Sequence, residues 1–183
     1  YVQGGGQNHA NRERARRGEN QEMKIGRITI SDRASAGVYE DRSGPEIEKV
    51  LSEFFPGAKY QSTIVPDEVK LISEALVTFA DEVQCDVVVT TGGTGISVRD
   101  VTPEATRAVL DKELPGFGEI MRVESYAKVR TSILSRAVAG TRGETLIVNL
   151  PGRPSAVREC LELLSPAIRE GVAHLRGENP HGK

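Results

Sequence analysis

From Met23 onward, apolar side chains recur in two alternating rhythms. Ile25, Ile28 and Ile30 mark a strand over Lys24–Ser31. Ser43-Gly44-Pro45-Glu46 has the form of a capping box. Behind it Ile47, Val50, Leu51, Phe54 and Phe55 fall at the spacing of one buried helical face. A second strand is expected over Tyr60–Val65. Pro66-Asp67-Glu68 then opens a helix whose apolar stripe is Val69, Ile72, Leu76 and Phe79. Asp86–Thr91, with its Val87-Val88-Val89 run, reads as a strand buried on both faces. Thr102-Pro103 predicts an N-cap threonine with proline at the first helical position, the helix running to about Leu110. Residues 117–128 predict another helix. Ala137–Glu144 contains a glycine-bounded turn and predicts a hairpin feeding a strand over Thr145–Leu150. The last helical region is expected to break at Ser165-Pro166.

Strands alternating with helices predict an α/β fold: a three-layer α/β/α domain around a mostly parallel sheet, with a small antiparallel hairpin. The domain is expected over residues 23–178. Residues 1–22 are polar, Gly- and Arg-rich and lack apolar periodicity, so they are expected to be a disordered N-terminal extension. In such folds ligands bind beyond the carboxyl ends of the parallel strands. The loops after Ser31, Val65, Thr91 and Leu150 are therefore the ones expected to carry function.

Composition narrows the chemistry. The chain has 183 residues, with 24 basic and 26 acidic side chains and 4% aromatics. It thus lacks the basic surplus and stacking residues of a nucleic-acid binder. No apolar run approaches the ~20 residues that span a bilayer, so a soluble cytoplasmic protein is expected. Cys85 and Cys160 are too few for a disulfide framework or zinc site and sit among apolar neighbours, as buried inert thiols do. The three histidines, His9, His174 and His181, lie near the termini or in the last helix. Chemistry here is expected to rest on carboxylates, backbone donors, Lys/Arg and a hard cation.

The densest segment is Thr90-Thr91-Gly92-Gly93-Thr94-Gly95-Ile96-Ser97-Val98-Arg99-Asp100-Val101-Thr102-Pro103-Glu104. A buried strand opening into such a loop presents backbone N–H groups to a phosphate, although a tight turn alone also uses glycine. The loop is neither a Walker A nor a dinucleotide fingerprint. Asp100 suits a Mg²⁺ ligand beside phosphate; its alternative is to accept helix N-terminal N–H bonds. Asp67 fits helix capping at least as well, but its place after a strand end also allows a role at a metal or in orienting substrate. Ser31, Asp32, Asp41, Ser135, Arg136 and Arg153 add polar groups near the same face. Arg136 and Arg153 suit bidentate phosphate contacts as well as plain surface charge. Glu104 is read first as favourable charge in a helix's first turn.

Six ordered segments together are similar to the MogA family of molybdopterin adenylyltransferases, also found as the G domain of plant and animal molybdenum-cofactor proteins. They are Ile30–Tyr39, Val65-Pro66-Asp67-Glu68, Thr90–Thr106, Pro115–Glu119, Ile133-Leu134-Ser135-Arg136 and Asn149–Pro154. The resemblance implies an ATP- and Mg²⁺-dependent adenylylation of molybdopterin with release of pyrophosphate. It also implies a homotrimer and transfer of product to a molybdate-inserting partner, with no nucleic acid or membrane involved. Asp67 and Asp100 match the family's essential aspartates, Asp100 being the implied Mg²⁺ ligand and Asp67 a second candidate. Ser31, Asp32, Gly92, Gly93, Thr94, Gly95, Arg99, Glu104, Ser135, Arg136, Pro151, Gly152, Arg153, Pro154 and Ser155 are the implied nucleotide- and pterin-binding positions. The related MoaB type lacks the Pro-Asp-Glu motif and the Arg before the loop Asp, and this chain has both. Two other readings remain: a pterin-binding scaffold without catalysis, and an unrelated nucleotide-binding α/β enzyme.

Overall fold

The computed structural model describes residues 22–178; the extension expected over 1–22 falls almost wholly outside them, as do His9 and His181. Strand β1 is Lys24–Ile30 and is followed by a four-residue helix, α1, Asp32–Ser35. Helix α2 is Ser43–Phe54 and β2 is Lys59–Val65. Helix α3, Val69–Val77, continues as a π turn, Thr78–Glu82, before β3, Val87–Thr91. Helix α4 is Thr102–Arg107, β4 is Lys112–Glu113 and α5 is Pro115–Tyr126. A 3₁₀ turn, Arg130–Leu134, leads to β5, Ala139–Arg142, β6, Thr145–Leu150, and the long α6, Pro154–Leu175.

The sheet has six strands in the order β2-β1-β3-β6-β5-β4. The first four are parallel, and β5 and β4 run antiparallel to their neighbours β6 and β5. This is the expected mostly parallel sheet with its hairpin. Both faces are covered, as a parallel sheet requires. On one side Ile47, Val50 and Leu51 of α2, Met121 of α5 and Val157, Leu161 and Ile168 of α6 pack on Val87, Val89, Leu146 and Val148. On the other, Ile72 and Leu76 of α3, Phe79 and Ala105 pack on Ile28, Val88 and Ile147. Burial of Cys85 and Cys160 pushes both thiols up to about 11, so they stay protonated at neutral pH.

Three local expectations are corrected. Ser43 is not a cap: the residue at the N-cap of α2 is Arg42, and Asp41 accepts from the Gly44 amide through Oδ1 (2.9 Å) and from Thr29 Oγ1 through Oδ2 (2.7 Å). Thr102 is not the N-cap of α4, whose N-cap position is Val101 without a side-chain bond. Finally, α6 does not break at Ser165-Pro166. Pro166 and Glu162, whose carbonyl loses its partner, both lie on the exposed side, where that carbonyl needs no protein partner. Leu161, Leu164, Ser165 and Ile168 are buried on the opposite side. Packing of that stripe outweighs the roughly 3 kcal/mol propensity cost of an interior proline. Strand β4 and the 3₁₀ turn have no counterpart in the hydrophobic pattern, being too short to carry a period.

Strand register positions the site. Ile30 is level with Val65, Thr29 with Thr91, and Thr91 with Leu150. The loops opening at Ser31, Pro66, Gly92 and Pro151 thus stand side by side at the carboxyl edge of the sheet. His174, the one described histidine, lies ~30 Å along α6 from Pro154 at 1.5 Å per residue.

Candidate active site

The first two loops are joined by their aspartates. The Asp32 amide donates to Asp67 Oδ2 (2.9 Å) and the Asp67 amide to Asp32 Oδ1 (3.0 Å). Ser31 Oγ accepts from the Ala34 amide (3.2 Å) and so caps α1. The third loop reaches back to this pair: Arg99 Nε donates to Asp32 Oδ2 (2.9 Å) and Nη2 to Oδ1 (2.8 Å), a bidentate fork.

Glycine is required at two positions of that third loop. Gly92 and Gly93 have φ of +99° and +63°, which side-chain-bearing residues rarely adopt. A Cβ on Gly92 would lie 2.3 Å from the Ile30 carbonyl, and one on Gly93 2.8 Å from Asp67 Oδ1. The loop is pinned from below. Thr102 Oγ1 donates to the Gly92 carbonyl (2.9 Å), the Thr102 amide to the Gly93 carbonyl (3.1 Å), and the Gly92 amide to the Leu150 carbonyl (3.2 Å). Thr91 Oγ1 donates to the Pro151 carbonyl (2.7 Å), and a Cβ on Gly152 would sit 3.4 Å from Gly92 Cα, so the fourth loop abuts the third.

Beneath lies a polar cluster not singled out in the sequence. Asn149 Nδ2 donates to Thr90 Oγ1 and Thr106 Oγ1 (both 3.0 Å), its Oδ1 accepts from the Val138 amide (3.3 Å), and Thr106 Oγ1 donates to the Thr102 carbonyl (2.8 Å). Asn149, Thr90, Thr106 and Thr102 are all 0% exposed. A lone Asn inside an apolar strand is the signal that marks such a group, since buried amides are retained only where bonded.

On the loop's other flank Arg136 acts as a clamp. Its amide donates to the Thr94 carbonyl (2.8 Å), Nε to the Gly95 carbonyl (2.7 Å), Nη2 to the Asp100 carbonyl (2.7 Å) and Nη1 to Glu104. These bonds tie the guanidinium and Glu104 to the loop, so both shape it. Burial opposes ionisation of Glu104, but the Arg136 bond leaves its carboxyl below the usual range. Ser135 sits next to this clamp, its carbonyl accepting from Arg122 Nη1 (3.3 Å). Arg153 and Ser155 are exposed at the start of α6, beside the Pro151-Gly152 turn. They join the site through that turn rather than by contact with the aspartates.

Two carboxylates of the site remain to be placed, Asp67 and Asp100. Asp100 Oδ2 accepts from the Ser97 amide (2.8 Å), which curls the loop around it instead of capping α4. Asp67 is part-buried, and burial pushes its carboxyl above the ordinary 3.8; repulsion from Asp32 and Asp100 acts in the same direction. The Arg99 bond, followed by the Asp67 amide, holds Asp32 below its usual value.

Among the described residues no group of three or more acidic, His or Cys side chains forms a metal cage. Asp67 and Asp100 each keep an oxygen without a protein hydrogen bond among those residues. Such a set fits Mg²⁺, which binds through one or two carboxylates and completes its shell with water and substrate phosphates.

A parallel α/β sheet with a pinned glycine loop, paired carboxylates and a helix N-terminus at one edge defines a phosphate-handling site of the doubly wound class. Residues 26–170 match the family described as "Probable molybdopterin binding domain", and the chain belongs to it. A molybdopterin adenylyltransferase of Helicobacter pylori (strain J99) is 55% identical over 149 residues, 81% of this chain and 85% of that protein. A solved structure of MogA superposes with a TM-score of 0.78 at 41% identity, over 83% of this chain and 99% of that one. The molybdopterin biosynthesis enzyme MoaB of Thermus thermophilus gives 0.78 at 41% identity, over 85% and 98%. The fold alone therefore does not separate the two types. No helix among the described residues is long and apolar enough to cross a membrane.

Proposed function

We propose that this protein is a molybdopterin adenylyltransferase of molybdenum cofactor biosynthesis, transferring the adenylyl group of ATP to molybdopterin and releasing pyrophosphate. The terminal phosphate oxygen of molybdopterin attacks the α-phosphorus, the bond to the bridging α–β oxygen breaks, and pyrophosphate carries away the electron pair. Catalysis of such a transfer consists mainly of alignment and charge neutralisation. The carrying observation is the convergence of four strand-end loops, with Asp67 and Asp100 brought against Gly93 and Gly95. The pinned loop offers amides to phosphate, and the start of α6 adds its N-terminal dipole. Arg99 supplies a guanidinium, while Ser31, Asp32 and the Pro151-Gly152-Arg153-Pro154-Ser155 turn border the nucleotide and pterin. Asp100, with Asp67 beside it, would hold Mg²⁺, which neutralises phosphate charge.

Asp100→Asn keeps an acceptor for the Ser97 amide, so the loop is expected to persist. Pyrophosphate release from ATP and molybdopterin should vanish while pterin binding remains. Near-normal turnover by that variant would sink the assignment. A scaffold that lacked catalysis would show no release in the unaltered protein, and an unrelated nucleotide enzyme would bind ATP but not the pterin. We assign the catalytic domain to residues 23–178, in a homotrimer that passes its product to a molybdate-inserting partner. The shallow apolar cleft of Leu114, Phe117, Ile120 and Leu164 offers a face for assembly, testable by sedimentation. The reaction draws on ATP, which favours the cytoplasm.

A further inference from the structure

Arg99 and Asp32 form an ion pair that the proposed reaction has reason to break. The guanidinium lies on the phosphate loop and grips both oxygens of one carboxylate, at 2.9 and 2.8 Å. Their side chains are 57% and 44% exposed, so the pair is open to solvent and to a competing anion. A fork that fits a carboxylate fits a phosphate equally well, and a phosphate carries more charge. Asp32 does not need Arg99 to keep its place: its amide bonds Asp67 Oδ2, and its Oδ1 accepts from the Asp67 amide. Losing the guanidinium would leave the first two loops joined and Asp67 still oriented.

Resting on the adenylyl-transfer reading, we propose that Asp32 is a stand-in for a substrate phosphate. In the free protein its carboxylate occupies the fork of Arg99; when ATP binds, a phosphate takes that place and Asp32 keeps its two bonds to Asp67. Arg99 is then the phosphate ligand, and Asp32 is a competitor for it and a positioning residue for Asp67. This assigns opposite signs to two neighbours that would otherwise both count as binding residues. Asp32 opposes ATP and Arg99 favours it.

The sign is measurable by calorimetry with ATP, EDTA replacing Mg²⁺ so that no cation bridges the carboxylates. Asp32→Asn keeps an oxygen for the Asp67 amide and removes the competing charge, so ATP should bind about two- to fivefold tighter. Glu68→Gln removes a nearby exposed charge that acts on Arg99 without touching its fork, and should tighten binding less. Arg99→Gln should weaken binding about tenfold, and it keeps the test open if Asp32→Asn misfolds. Unchanged or weaker binding by Asp32→Asn would overturn the proposal, because Asp32 would then be a ligand or inert. Equal tightening by Glu68→Gln would also overturn it, as a field effect suffices. So would ATP binding that is unaffected in Arg99→Gln. Failure of the unaltered protein to bind ATP even with Mg²⁺ restored would instead overturn the adenylyl-transfer reading, and binding only with Mg²⁺ would overturn this inference alone.

Discussion

Gly93→Ala separates the strain of a left-handed backbone from the crowding of Asp67. Gly93 has φ +63° and Gly143, in the β5–β6 turn, has φ +54°. A Cβ at Gly143 meets nothing within 4 Å, whereas at Gly93 it would lie 2.4 Å from Thr102 Oγ1 and 2.8 Å from Asp67 Oδ1. Both substitutions carry the left-handed cost, roughly 1–2 kcal/mol. Only Gly93→Ala adds overpacking, about 1–3 kcal/mol. Thr102 is fully buried and bonded to the Gly92 carbonyl, so it cannot simply turn away. Relief must come from the loop shifting or from Asp67 releasing the Asp32 amide. Gly143→Ala should therefore cost about 1–2 kcal/mol and Gly93→Ala about 2–5 kcal/mol, a drop in Tm of roughly 4–20 °C for a domain of this size. Differential scanning calorimetry on both variants gives the difference. Because a displacement near 1 Å can cost about a hundredfold in rate, pyrophosphate release should fall by that order in Gly93→Ala and stay unchanged in Gly143→Ala. Equal Tm values for the two variants, with undiminished turnover in Gly93→Ala, would refute the contact argument.

Two further outcomes follow from the same geometry. Burial raises the Asp67 carboxyl above 3.8, so its folded-state contribution to stability is fully present below that value and is lost as pH rises through the folded one. Asp67→Asn removes the penalty: it should melt above the unaltered protein at pH 7, with the gap closing as pH falls below about 3.8, and a gap independent of pH would contradict this. Arg136→Lys keeps one charge but cannot reach the Gly95 carbonyl, the Asp100 carbonyl and Glu104 together; amide exchange should rise across residues 93–100 and KM for ATP should increase, while unchanged protection there would remove Arg136 as the clamp.

Much of the site was legible in the chain because the rules that mark it are local. Apolar periods located the long strands and helices, and the composition of the segments after Ser31, Val65, Thr91 and Leu150 pointed to function. Gly92 and Gly93 were legible because few other residues tolerate their backbone. Elements too short for a period, β4 among them, were not legible, and neither was the outcome at Pro166. There the burial of a stripe on the opposite face decided against a strong local preference.

The sequence by itself determined which residue types stand at the ends of which strands, and hence that carboxylates, amides and arginines gather at one edge of the sheet. Only the tertiary structure decided how they divide the work. Asp32 and Arg99 are 67 residues apart in the chain, and Arg136 and Gly95 are 41 apart. Strand register brings them within bonding distance, and a charged side chain takes whichever partner the fold places beside it. Arg136, expected at a phosphate, is thereby tied to its own loop, and Asp32 is set in the fork of Arg99.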